Sequence, residues 1–232
     1  MRTKSYRAFR VALTAFVATI FAASSAFAGP PLICHAFDIG NAKSLPWVSH
    51  DWNLSGGENY DTRDLAKDTI TILDASQVTL VHMETLRRAT LYARKDARAA
   101  KQLLLMLTAR EAAQNSGRPD ALAVFDAGYL VEAYKQWLGE GWQNPANGID
   151  GYALVKKALQ IRGNDGQMEF AAALITLSGL AQENQQHAQK AMGGAKTDPL
   201  LARNLSTRFL GAGSQTMAEM LQPNAATKVA RE

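Results

Sequence analysis

The sequence predicts an all-α protein, and three observations carry that expectation. From Asp61 to about residue 222, apolar residues recur at steps of three and four. Carboxylates that start helices and glycines that end them punctuate this pattern. No stretch alternates polar and apolar residues as strands do.

In chain order, residues 1–28 read as a signal peptide. Arg2, Lys4, Arg7 and Arg10 precede an apolar run from Val11 to Phe21, and Ala26-Phe27-Ala28 has the small-x-small form of a cleavage site. Cleavage between Ala28 and Gly29 gives an exported protein, periplasmic or secreted, and the leader resembles a bacterial one. Residues 29–60 are rich in Pro, Gly, Asn and Trp and form an extended, loop-rich segment. Residues 61–222 form the helical domain. Residues 223–232, after Pro223, form a tail expected to be disordered.

Within the helical domain, Asp61 caps a helix to about Asp74 carrying Leu65, Ile70 and Leu73. A second runs from about Thr79 to Arg94. Asp96 caps a third, with Ala100, Leu103, Leu104 and Leu107 as its apolar stripe and Asn115-Ser116-Gly117 as its stop. Pro119 suits the first turn of a fourth, to about Trp137. A Gly/Asn/Pro loop leads to a short helix from about Gly151 to Ile161. Asp165 caps a long helix whose later half, Gln182 to Lys190, is polar and expected at the surface. Asp198-Pro199 opens the last helix, with Leu201, Leu205 and Phe209.

The chain carries 25 Lys+Arg and 21 Asp+Glu in 232 residues. Four of the bases and none of the acids lie in the leader, so the mature chain has 21 of each. A balanced chain has no global field to draw it onto phosphates, and nucleic-acid binding is excluded on that ground. The basic cluster Arg94-Lys95-Asp96-Ala97-Arg98 reads as a solvated helix face. After cleavage no apolar run reaches the roughly 20 residues of a spanning helix.

Leu86, Ala89 and Tyr92 on one helix are answered across the Lys95-Asp96 turn by Ala100, Leu104 and Leu107 on the next. Val124, Gly128 and Val131 are answered by Val155, Ala158 and Leu159, and a third set begins at Phe170 and Ala173. Over residues 80–180 this faintly resembles tetratricopeptide-like helical repeats. The resemblance implies helical hairpins stacked as a short array, with an irregular bundle as the alternative, and a groove for a protein or peptide partner. Tyr129, Tyr134 and Trp137 are the residues expected to line it.

The alternative function is a small enzyme or a redox or metal-binding protein centred on the N-terminal segment. Cys34 is a nucleophile candidate, with His50 or His35 as base and Asp51 or Asp38 as orienting carboxylate. Cys34 and His35 are candidate metal ligands, although no second Cys-x2-Cys or His-x3-His pair completes a site. The plainer reading makes Cys34, the sole cysteine, a small buried hydrophobe tying the segment to the helices. It is also the one route to a disulfide-linked dimer. No cofactor is expected. His82 and His187 read as residues of helix surfaces.

Overall fold

A computed structural model describes residues 30–47, 57–113, 120–139 and 144–209. Among them are a 3-10 turn (Thr62–Asp64), eight α-helices and no strand. The helices are α1 (Leu65–Asp74), α2 (Thr79–Ala93), α3 (Ala97–Ala113), α4 (Ala121–Leu138), α5 (Gly151–Arg162), α6 (Gly166–Thr176), α7 (Ala181–Ala195) and α8 (Pro199–Phe209). The fold is all-α, as expected. The residues read as a signal peptide, its cleavage site at Ala28 and Gly29, and the 223–232 tail lie outside the described residues.

Aspartate starts most of these helices. Asp96, Asp120, Asp150, Asp165 and Asp198 each accept a backbone N–H in the first turn of the helix that follows, at 2.9–3.1 Å. Each cap satisfies a donor that the helix cannot and is worth about 1 kcal/mol. Asp61 caps the 3-10 turn rather than α1 itself. The fourth helix begins at Ala121, capped by Asp120, two residues inside the start that Pro119 suggested. Helix α2 has no side-chain cap of its own. Instead Gln167 of α6 accepts the Leu80 N–H at 2.9 Å.

The single long helix expected after Asp165 is two helices. Thr176 turns its hydroxyl back onto the carbonyls of Ala172 and Ala173, and Asn184 donates to Ala173 O at 2.6 Å. These contacts end α6, and after Ser178-Gly179 the chain doubles back as α7. Gly166 at the start of α6 then meets Gly194 near the end of α7, where an added Cβ would lie 3.0 Å from the opposing Cα.

Helix α4 lies at the centre, packed against α2, α3, α5 and α6. Leu122, Val124, Phe125, Tyr129, Leu130, Val131 and Tyr134 are all buried, so the helix is apolar nearly all round, as a core helix must be. Its closest neighbour is α5. Gly128 and Gly151 let the two backbones touch: a Cβ on Gly128 would sit 2.6 Å from Gly151 O and 2.8 Å from Leu154 Cβ. The α4–α5 and α6–α7 pairs are the most extensive helix contacts, whereas α2 and α3 touch little although they are consecutive. Helix α3 packs on α4 and α1.

The segment 30–47 forms turns and irregular chain laid over α2. Leu32 N–H reaches Gln136 of α4 at 2.9 Å, Phe37 N–H reaches Glu84 of α2 at 2.9 Å, and Asp38 N–H reaches Asn204 of α8 at 2.9 Å. Leu32, Ile33, Phe37 and Leu45 enter the core.

Gly128→Ala should destabilise the protein by about 1–3 kcal/mol, because the new methyl meets backbone on the facing helix. Gly179→Ala, which meets nothing within 4 Å, should be neutral or slightly stabilising. Urea unfolding of the two variants checks this, and equal midpoints would rule out the close α4–α5 crossing.

Candidate functional site

The N-terminal segment, the aromatic residues of α4, two buried histidine networks and the outer face of α3 are the places where function could sit. Cys34 is half-buried in the turn of residues 31–35, its N–H on Pro30 O at 3.0 Å, and His35 beside it is exposed. His50 and Asp51 lie outside the described residues. Trp47 is half-buried, edge-on to Tyr92 at 6.1 Å, with the Arg87 guanidinium 5.3 Å from its centroid. It anchors the segment to α2. Among the described residues no group of three or more His, Cys, Asp or Glu is placed to hold a metal ion.

The aromatic groove expected on α4 is core instead. Tyr129 and Tyr134 are fully buried. Tyr129 stacks on Phe125 at 5.4 Å, and Tyr134 donates to Ala100 O of α3 at 3.2 Å. Trp137 is partly buried under the Arg94 guanidinium, 4.5 Å from its ring centroid. With α4 covered on four sides, its aromatic positions have no solvent to face.

Both helical histidines are buried rather than on the surface. His82 of α2 sits at the junction of the first four helices. Its Nε2 faces Ser76 O at 3.0 Å and its Nδ1 faces Asp126 Oδ1 of α4 at 2.6 Å. A carbonyl only accepts, so Nε2 carries a hydrogen, and a second proton lies in the Nδ1–Oδ1 contact. Arg110 of α3 stands 3.6 Å from Asp126 Oδ2 and also pairs with Asp74. Burial works against the imidazolium, but the Asp126 charge and hydrogen bond and the Ser76 carbonyl outweigh it and raise the His82 pKa above 6.5. Burial likewise pushes the Asp126 carboxyl up. The nearby Arg110 favours the carboxylate, so we place the shared proton on His82.

His187 of α7 lies in a second network. Its Nδ1 meets Glu169 of α6, and its Nε2 is 2.7 Å from the Tyr152 hydroxyl of α5. That hydroxyl donates to Glu183 at 2.5 Å, so its oxygen is left to accept from Nε2. Lys190 reaches Glu169 at 3.1 Å, and Lys156 lies 4.5 Å over the Tyr152 ring. Burial would raise the Glu169 carboxyl, but His187 and Lys190 hold it below its ordinary value. Burial and then Glu183 push the Tyr152 phenol up. A carboxylate–imidazole–phenol chain can relay a proton, yet here each group is engaged by the others and the set docks α7 onto α5 and α6.

The outer face of α3 is different. Leu105 is 58% exposed and Met106 38%, and Ala109 and Ala112 continue the apolar face toward the helix end. Alongside runs a groove of about 490 Å³, walled by Ala97, Lys101, Leu104, Leu105 and Thr108 on α3 and by Pro145 and Ile149 on the loop before α5. The run Leu103-Leu104-Leu105-Met106-Leu107 was the available signal, because five consecutive large apolar residues exceed what one face of a helix can bury. A smaller recess of about 310 Å³ lies where α2, α6 and α8 begin. Its carboxylates are engaged: Asp165 caps α6 and pairs with Arg162, and Asp198 caps α8 and accepts from Gln167. It is a structural joint.

Stability should peak at mildly acidic pH. Burial would raise Glu84, but Arg87 and Arg88 hold its folded pKa below 4.5. Its contribution is therefore present above 4.5 and lost as pH falls through the lower folded value. His82 is the mirror case. Its contribution is present below 6.5 and lost as pH rises through its raised folded value. Urea midpoints across the acid and alkaline ranges test both arms. Glu84→Gln should flatten the acid arm and Asp126→Asn the alkaline arm, each costing about 3–5 kcal/mol at mildly acidic pH by breaking a buried pair.

No family model, no curated protein and no solved structure matches this chain.

Proposed function

We propose that the mature chain is an exported, tetratricopeptide-like helical scaffold that holds a protein or peptide partner in the cell envelope. The observation that carries this reading is the apolar outer face of α3 beside its groove. Leu105 and Met106 stand in solvent next to a concave, largely apolar channel, while large apolar side chains of neighbouring helices are buried. Exposed apolar surface bordering a groove is the usual mark of an interaction site. Among the described residues the other large exposed apolar side chains, Val78 and Leu180, sit singly where α2 and α7 begin. Export is supported by the Arg2-to-Ala28 leader pattern. The repeat reading draws support from the two extensive consecutive pairs, α4–α5 and α6–α7.

A photo-crosslinking amino acid at position 105 of the full chain, expressed in its native cell, tests the scaffold reading. The expected result is one discrete adduct in the envelope fraction, formed on a product that begins at Gly29. The same probe at exposed Lys190 should give none. If position 105 yields no adduct, or labels no differently from position 190, the α3 face is not a docking surface and the reading falls.

A further inference from the structure

We infer that the occupant of the α3 groove is an acidic amphipathic helix of a partner protein, about three turns long. This rests on the scaffold reading and adds the chemistry of the ligand. The groove wall follows one stripe of α3, Ala97, Lys101, Leu104, Leu105 and Thr108. Eleven residues of helix rise about 16 Å, which sets the ligand length. Pro145 and Ile149 close the opposite side and make the surface concave. A channel of that shape accepts a helix ridge, whereas a flat bilayer surface would leave it unfilled. Ala109 and Ala112, small and exposed, let a second helix approach α3 beyond Leu105.

Charge selects the kind of helix. Arg98 and Lys101 are exposed in the first turns of α3, and Lys101 lines the groove itself, while Lys95 beside them is exposed at the end of α2, where Arg94 covers the Trp137 ring. The ion pairs among the described residues use other bases. The one acid in this stretch, Asp96, is already engaged: it accepts from the Thr62 hydroxyl and from the N–H groups of Arg98 and Ala99. Bases in the first turns of a helix oppose its dipole, so the fold gains nothing from Arg98 and Lys101 there. Carboxylates at one end of a bound helix would compensate both the bases and the dipole. The apolar face then fixes where the ligand lies, and the basic end fixes its direction.

The probe is a labelled synthetic peptide of about 16 residues, with Leu at i, i+4, i+7 and i+11 and Glu clustered at one end. Its partner control carries Lys in place of each Glu. Both are titrated by anisotropy against residues 29–232. The acidic peptide should bind at least about tenfold tighter than the basic one, and the gap should narrow as salt rises. Lys101→Glu combined with Arg98→Glu should weaken the acidic peptide by about tenfold or more and reverse the preference. Leu105→Asp should abolish binding of both. All three positions are exposed, so the variants keep their fold, which circular dichroism checks.

Equal binding of the two peptides, both lost in Leu105→Asp, overturns the acidic preference and leaves the groove as a peptide site. Several other results also overturn the inference: no binding of either peptide, concentration-dependent dimerisation that Leu105→Asp removes, or capture of the chain by anionic lipid vesicles in place of the peptide. If in addition position 105 gives no adduct in cells, the scaffold reading fails with it.

Discussion

Glu84 is the side chain on which the arrangement of this chain depends. Its carboxylate is fully buried, and so is Arg87 one turn later. An ionised carboxylate in such a place is tolerable only when its lone pairs are filled by donors. Arg87 supplies two hydrogen bonds, Nε to Oε2 at 2.8 Å and Nη2 to Oε1 at 3.0 Å. Arg88 adds Nε to Oε1 at 2.7 Å, and the Phe37 N–H adds the fourth. The i, i+3, i+4 spacing puts all three side chains on one face of α2. Two guanidiniums on one carboxylate leave further donors, and these take the carbonyls of Ile33 and Leu45 at 3.0 and 2.6 Å. The charged face of α2 thus dictates that irregular chain, rather than another helix, covers it.

That requirement propagates. Once residues 33–45 are fixed over α2, Leu32 lies against the last turns of α4 and Asp38 against α8, where Asn204 both accepts from and donates to its backbone. The segment therefore joins the first helices to the last. In a pure array each hairpin touches only its neighbours, and stability is a sum of local terms. Here one irregular strap links α2, α4 and α8, so a charge inserted at Glu84 or a cut in the strap is felt across the chain. A buried ion pair is weak evidence for stability by itself. Its consequence in this case is specification, because only one threading of the strap satisfies both arginines.

Features set by neighbours in the chain were legible in the sequence. Asp96, Asp165 and Asp198-Pro199 mark helix starts because a cap and its first turn are consecutive. Asp120 and Asp150 work the same way but were masked by the more conspicuous Pro119 and Gly151 beside them. Features set by distant partners were illegible. Nothing near His82 reveals that Asp126, 44 residues on, supplies its counter-charge. Nor does the polar stretch around His187 disclose Glu169 and Tyr152. The cap of α2 comes from Gln167, 87 residues away. Tyr129 and Tyr134 misled for a related reason: a tyrosine on an amphipathic-looking helix suits a groove and a core equally well, and only the packing of α4 on four other helices decides between them.

The same contrast isolates the groups left over. Among the buried charges, Glu84 and Arg87 satisfy one another and Asp126 holds His82 and faces Arg110; at the helix starts, the acids cap backbone. Apart from Asp126 Oδ2, which faces Arg110 Nη1 at 3.6 Å without a hydrogen bond, these buried charges are compensated within the fold, and that contrast makes the α3 face informative. Leu105 and Met106 lie on the helix that packs least on its predecessor, and Arg98 and Lys101 stand in the first turns of α3, where acids serve stability better. A fold that neutralises charge so thoroughly inside has no internal reason to leave apolar and basic groups side by side on one exposed helix. Their arrangement follows when a second molecule, apolar along one face and acidic at one end, completes the surface.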